Sequence, residues 1–149
     1  MAKMLGYMLT WTTYGTWLQG DKREYVKDSE ILNANPGLEG SNRKVQSQET
    51  ILLEPTQQKL VQASILEEAK KMNHLLYAIS VKKTHVHMVV PDHPKGSSAI
   101  VAIYKNAGRQ ALRKTSAVGK VWTKGYDIRY CYNEQILKQR INYVNAHRS

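Results

Sequence analysis

The seven residues Thr84-His85-Val86-His87-Met88-Val89-Val90 constrain this chain more than any other stretch. In an extended strand, successive side chains point to opposite faces. His85, His87 and Val89 then share one face, and Val86, Met88 and Val90 share the other. The second set is wholly apolar and calls for a core on its side, so the strand should be central. The first set puts two imidazoles side by side, close enough to reach one metal ion. Taken alone, a His-x-His is short and is more often a pair of solvated or hydrogen-bonded residues. Its meaning therefore rests on the rest of the chain.

The flanking segments supply a sheet and its cover. Leu5, Tyr7, Leu9 and Trp11 alternate with Gly6, Met8, Thr10 and Thr12, a second run of period two. Leu75 to Val81 and Thr84 to Val90 are apolar runs joined by Lys82-Lys83 and read as a hairpin. Lys-Lys suits the tight primed turns poorly, so the loop is expected to start earlier or run longer. Tyr126, Ile128 and Tyr130 alternate with Asp127, Arg129 and Cys131 in a fourth strand. Pro55 opens a helix on which Val61, Ile65, Ala69 and Met72 recur at helical spacing, ending near Asn73. Ser97 or Ser98 caps a second helix, with Ile100, Ile103, Ala107 and Ala111 as its expected buried stripe. Asn133 caps a third, with Leu137, Ile141 and Val144 facing inward.

That order predicts an α+β fold, a ferredoxin-like split βαβ antiparallel sheet with helices on one face and an added C-terminal helix. The 149 residues are read as one domain, 1–149, interrupted by a long polar loop at about 20–50.

Charge narrows the partners. The chain carries 22 Lys and Arg against 12 Asp and Glu, a formal charge of +10. Such an excess favours a polyanion, most simply nucleic acid. Lys105, Arg109 and Arg113 recur every four residues on the second helix, a ridge that can track a phosphate backbone. No stretch is long and apolar enough to span a membrane. The lone Cys131 excludes an internal disulfide and fits a reducing compartment.

On the last helix Arg140, Tyr143 and His147 fall on one flank, beside the core stripe. If that flank faces the histidine strand, His147 completes a three-histidine metal site with His85 and His87, and Tyr143 stands beside it. A metal there would polarise a phosphodiester, Tyr143 would be its nucleophile, and Arg140 would hold a phosphate oxygen. Tyr126, Tyr130 and Tyr132 are rival nucleophiles, two of them expected to point inward. Asp92 and His93 are rival third ligands, and His74 reads as a surface residue.

These residues carry a resemblance. His85-Val86-His87 resembles the histidine–hydrophobe–histidine motif of the HUH endonucleases. With the basic helix and the tyrosine on a late helix, the chain is similar to single-tyrosine HUH transposases, of the insertion-sequence-200 and REP-associated kinds. Thr10 to Leu18 and Arg140 to Asn145 resemble the beginning and end of such proteins. The resemblance implies sequence- or hairpin-specific cleavage and rejoining of single-stranded DNA by way of a covalent 5′-phosphotyrosine. It implies Mg²⁺ or Mn²⁺ as cofactor and a cytoplasmic, nucleoid-associated protein, monomeric or a homodimer. Two positions depart from the pattern. His147 stands where Gln or Asn is usual, and three imidazoles suit Mn²⁺, Co²⁺ or Zn²⁺ better than Mg²⁺. Thr84 stands where Asn or Asp often precedes the first histidine. Two further functions fit the same residues: a non-catalytic nucleic-acid-binding module, and a nuclease in which metal-bound water attacks.

Overall fold

The computed structural model describes residues 4–16, 50–115 and 119–146. Trp17, His147 and nearly all of the polar loop expected at about 20–50 lie outside these residues. The elements follow the expected order: β1 (Gly6–Thr12), α1 (Pro55–Lys71), β2 (Ala78–Val81), β3 (His85–Val90), α2 (Ser97–Arg113), β4 (Asp127–Cys131) and α3 (Glu134–Ala146).

The strands form one sheet in the order β2-β3-β1-β4, with every neighbouring pair antiparallel. β1 and β2 run parallel with β3 inserted between them, which is the split βαβ arrangement. The period-two patterns then divide cleanly between two faces. Tyr7, Leu9, Trp11, Ile79, Val81, Val86, Met88 and Val90 pack against Val61 and Ile65 of α1 and Ile100, Tyr104 and Leu112 of α2. Met8, Ala78 and Val89 face the other way and meet Leu137, Ile141 and Val144 of α3. The two crossover helices thus cover one face, and the C-terminal helix covers the opposite one.

Local chemistry sets the boundaries. At the start of α1 the Glu54 backbone N–H donates to the Gln57 side chain at 2.8 Å, and Pro55 follows where no intrahelical donor is needed. At its end Asn73 adopts φ 52, and Asn73 and His74 donate to the carbonyls of Lys70 and Ala69. That left-handed closure satisfies two otherwise orphaned carbonyls. Asn133 accepts from the Ile136 N–H at 2.8 Å and caps α3. The β2–β3 loop works without left-handed residues because it is longer than two residues. Lys82 donates to the His85 carbonyl, while the Lys83 and Thr84 carbonyls accept from Leu53 and Thr13. β2 begins at Ala78 rather than near Leu75, whose side chain is exposed.

Three expectations are corrected here. The buried residues of α2 are Ile100, Val101, Tyr104, Gly108 and Leu112, whereas Ile103, Ala107 and Ala111 lie on its flank. A Cβ at Gly108 would come within 3.1 Å of Trp122 and 3.2 Å of Val61, so a side chain there would hold the helices apart. Gly96, at φ 84, precedes the helix in place of a serine cap, and Ser97 instead bonds the Tyr126 hydroxyl at 2.9 Å. His74 is buried, not superficial. Its Nε2 donates to the Pro91 carbonyl at 3.0 Å, and its Nδ1 then accepts from the Tyr104 hydroxyl at 2.6 Å.

Both bonds use the neutral ring, and burial lowers the pKa of His74 from its ordinary 6.5. The unfolded chain takes up this proton first as pH falls. The His74 contribution is therefore complete above pH 6.5 and is lost as pH drops through the lowered folded value. The urea midpoint should fall between about pH 7.5 and pH 5. His74→Gln should be less stable at the higher pH yet lose less between the two. Equal losses in both proteins would place the titration elsewhere.

Candidate active site

Register assembles the site. Opposed residues of an antiparallel sheet share a face. His87 lies opposite Thr10 on one side and Ser80 on the other, and Thr10 lies opposite Asp127. One row therefore runs Ser80, His87, Thr10, Asp127 across all four strands. In the parallel row His85 stands opposite Thr12. Both rows are on the face that α3 covers.

The two imidazoles are neighbours, with ring centroids 4.5 Å apart at 73°. Each turns Nδ1 toward a threonine hydroxyl: His87 to Thr10 at 2.8 Å, His85 to Thr84 at 3.0 Å. Ligation of a metal would then fall to Nε2 of each ring. Tyr143 comes from α3 of the same chain, and its ring meets His87 edge-on at 5.6 Å and 77°. Its side chain is 42% exposed, so a ligand can reach it. Inward-facing Val144, beside it in sequence, is fully buried against the sheet and sets the rotation of the helix.

Arg140 lies one turn before Tyr143. Burial raises the Cys131 thiol pKa, and Arg140 is near enough to oppose that shift, which places the arginine toward the Cys131 end of β4. Sequence reading gave no role to Thr10, Asp127 or Arg129, although all three belong to this face. Asp127 is buried and pairs with Arg129 at 2.9 Å.

Two imidazoles beside an oxygen-rich row suit a divalent ion of borderline softness. Among the described residues no three His, Cys, Asp or Glu side chains are grouped to hold a metal, and His147 is outside them. The rival ligands fail on position. Asp92 and His93 follow the far end of β3, about 16 Å along the strand from His85. There Asp92 accepts from the Tyr7 hydroxyl at 3.1 Å and His93 packs edge-on against His74. Asp92 and burial together push the Tyr7 phenol pKa far up, burial being the larger cause. Two of the three rival tyrosines are placed away from the site. Tyr126 and Tyr130 point to the opposite face of β4 from Asp127, and Tyr126 packs on the core. Tyr130 is 48% exposed and meets the Tyr7 ring edge-on.

The basic ridge is rearranged. It lies on α2, across the sheet from the histidines. Lys105 donates to the carbonyls of Thr123 at 3.0 Å and Gly125 at 2.7 Å, tying the helix to the segment before β4. Arg109 and Arg113 are exposed and line a shallow groove with Lys120 and Trp122. Trp122 is held by its indole N–H on the Lys105 carbonyl at 2.8 Å and by an edge contact with Trp11.

No family model matches the chain. No curated protein matches it either. Solved structures do. One is a REP-associated tyrosine transposase bound to a REP hairpin, with a TM-score of 0.56 and 10% identity over 97% of this chain and 67% of that one. A crystal structure of a protein described as a transposase, from Deinococcus radiodurans R1, superposes at a TM-score of 0.47 with 16% identity, over 100% of this chain and 95% of that one. The first likeness establishes the class of fold: this chain has the fold of a REP-associated tyrosine transposase. Among the described residues no helix is long and apolar enough to cross a membrane.

Lys105 and the two arginines should separate experimentally. Lys105→Met should lower unfolding stability by about 1–2 kcal/mol, a charged hydrogen bond discounted for partial exposure. Arg109→Ala and Arg113→Ala should stay within about 0.5 kcal/mol of the parent. A Lys105→Met protein of unchanged urea midpoint but weakened DNA binding would return the lysine to the phosphate ridge.

Proposed function

We propose that this protein is a metal-dependent single-stranded DNA endonuclease and transposase that works through a covalent 5′-phosphotyrosine. The observation that carries this reading is the edge-on contact of Tyr143 with His87, beside His85, within one chain of tyrosine-transposase fold. The DNA would be single-stranded and presented by a hairpin, the kind of ligand on the REP-associated neighbour.

His85 and His87 would hold a divalent ion, Mg²⁺ or Mn²⁺, with His147 as third ligand; Zn²⁺ and Co²⁺ also suit three imidazoles. When bound, the ion supplies Lewis-acid polarisation of the scissile phosphate. The Tyr143 phenol loses its proton, and its oxygen attacks phosphorus. The bond from phosphorus to the 3′ oxygen breaks, and the departing 3′ oxygen takes up a proton. The phosphotyrosine ester conserves the phosphodiester, so a second 3′ hydroxyl attacking the same phosphorus releases Tyr143 and rejoins DNA without a nucleotide cofactor. Arg140 would bind a non-bridging phosphate oxygen. Arg109 and Arg113 would hold backbone phosphates farther away, on the other face. In this reading Tyr143 would serve the histidine pair of its own chain, which its edge-on contact with His87 supports.

The test is covalent trapping. Labelled single-stranded DNA with candidate hairpins is incubated with protein and Mn²⁺ or Mg²⁺, and a denaturing gel is read for protein-linked label. An adduct is expected with metal, and Tyr143→Phe and His85→Ala should each reduce it by about 100-fold or more. Cleavage that persists in Tyr143→Phe without an adduct would replace this reading with attack by water. DNA binding without cleavage, unchanged by loss of both histidines, would replace it with a binding module.

A further inference from the structure

Among the contacts of the histidine pair, the buried bond between Thr10 and His87 joins residues 77 apart in the chain. Thr10 is 3% exposed and His87 7%. On the face that α3 covers, Thr10 stands between the apolar cluster of Met8, Ala78 and Val89 and the polar row that holds His87 and Asp127. A polar side chain buried there is disfavoured unless its hydroxyl is bonded, and the imidazole supplies the bond. Thr84 repeats the arrangement at the second ring, from the position just before His85.

A hydroxyl can donate or accept, and so can Nδ1 of a neutral imidazole. The direction decides what each ring can do. If the threonine donates, the ring carries its proton on Nε2, and that nitrogen has no lone pair to offer. If Nδ1–H donates, Nε2 keeps its lone pair for a metal. An imidazole in water favours Nε2–H, so the second arrangement has to be imposed by the surroundings.

We infer that Thr10 is a positioning residue that accepts the Nδ1–H of His87, fixing the ring as a ligand through Nε2, and that Thr84 does the same for His85. Two independent parts of the chain put the same group at the same ring atom. A hydroxyl fixes the tautomer without adding charge, unlike the carboxylates and carbonyls that more often fill this place. The inference rests on the proposed role of the histidines as ligands, yet the tautomer can be read with no metal present.

The experiment uses the ¹⁵N-labelled full chain at about pH 8, where histidine is neutral. Long-range ¹H–¹⁵N spectra distinguish Nδ1–H from Nε2–H rings. His87 should be Nδ1–H in the parent and in Thr10→Ser, and mainly Nε2–H in Thr10→Val; Thr10→Ala gives the same comparison should the valine protein not fold. Mn²⁺ affinity, from the paramagnetic signal of the free ion, should weaken about 10- to 100-fold in Thr10→Val and only slightly in Thr10→Ser. A parent His87 in the Nε2–H form would overturn the inference. So would a Thr10→Val protein with unchanged tautomer and affinity. A parent that shows Nδ1–H but binds no Mn²⁺ would uphold the hold of Thr10 on the ring and remove the metal-dependent function.

Discussion

The pairing of β1 with β3 is the constraint from which the rest follows. Thr10 opposes His87, Leu9 opposes Met88 and Met8 opposes Val89. Because side chains alternate with period two, a slip of one residue in β3 would carry both histidines into the core and bring Val86, Met88 and Val90 out of it. Burial of Trp11, Leu9 and Tyr7 beneath α1 and α2 opposes that slip. Gly6 fixes the same pairing sterically: a Cβ there would stand 2.6 Å from the Val90 carbonyl oxygen. The hydrophobic core thereby determines, from one face of the sheet, which polar atoms meet on the other.

Division of the sheet into two faces also separates two kinds of work. The α3 face carries imidazoles, hydroxyls and a phenol within a few ångströms of one another. The α2 side carries exposed cations with an aromatic between them. The two meet along the rim where β1 ends. Thr13 bridges to Trp122, and Thr123 donates its backbone N–H to the Thr12 carbonyl. The Thr123 hydroxyl bonds the Thr13 and Thr16 carbonyls as well. A strand of nucleic acid held by Arg109 and Arg113 would pass over this rim to reach His85, opposite Thr12.

Much of this was legible in the residues, and the reasons are specific. Strong period-two runs gave β1 and β3, and a cap and a stripe together gave α3, with Asn133 and Val144 where they were expected. Tyr143 stands out in the sequence because it lies off the stripe that Leu137, Ile141 and Val144 define, and the structure places its ring against His87. The stripe of α2 was misread because its third member is Gly108, which has no side chain to signal burial. His74 was misread because its partners, Tyr104 and the Pro91 carbonyl, are distant in sequence. Thr10 was invisible for the same cause: its role exists only in the register between two strands. Lys105 has the spacing of a ridge residue, and only the fold brings two carbonyls to its ammonium.

Among the described residues, the helix that carries the tyrosine is the least deeply held of the three helices. Of its 13 residues only Val144 is fully buried, with Leu137 and Ile141 partly so. Helices α1 and α2, by contrast, share a thick core with the apolar side of the sheet. Local opening free energy follows buried contact, so α3 can part from the sheet at less cost than either crossover helix. In the proposed reaction, strand exchange would make use of that difference. A tyrosine bound covalently to one DNA end, as proposed, would have to admit a second 3′ hydroxyl to the same phosphorus, from the side the first 3′ end had left. A nucleophile on a thinly anchored helix can make that adjustment. The histidines, set on a central strand with a threonine hydroxyl at each Nδ1, would remain the fixed reference for that adjustment.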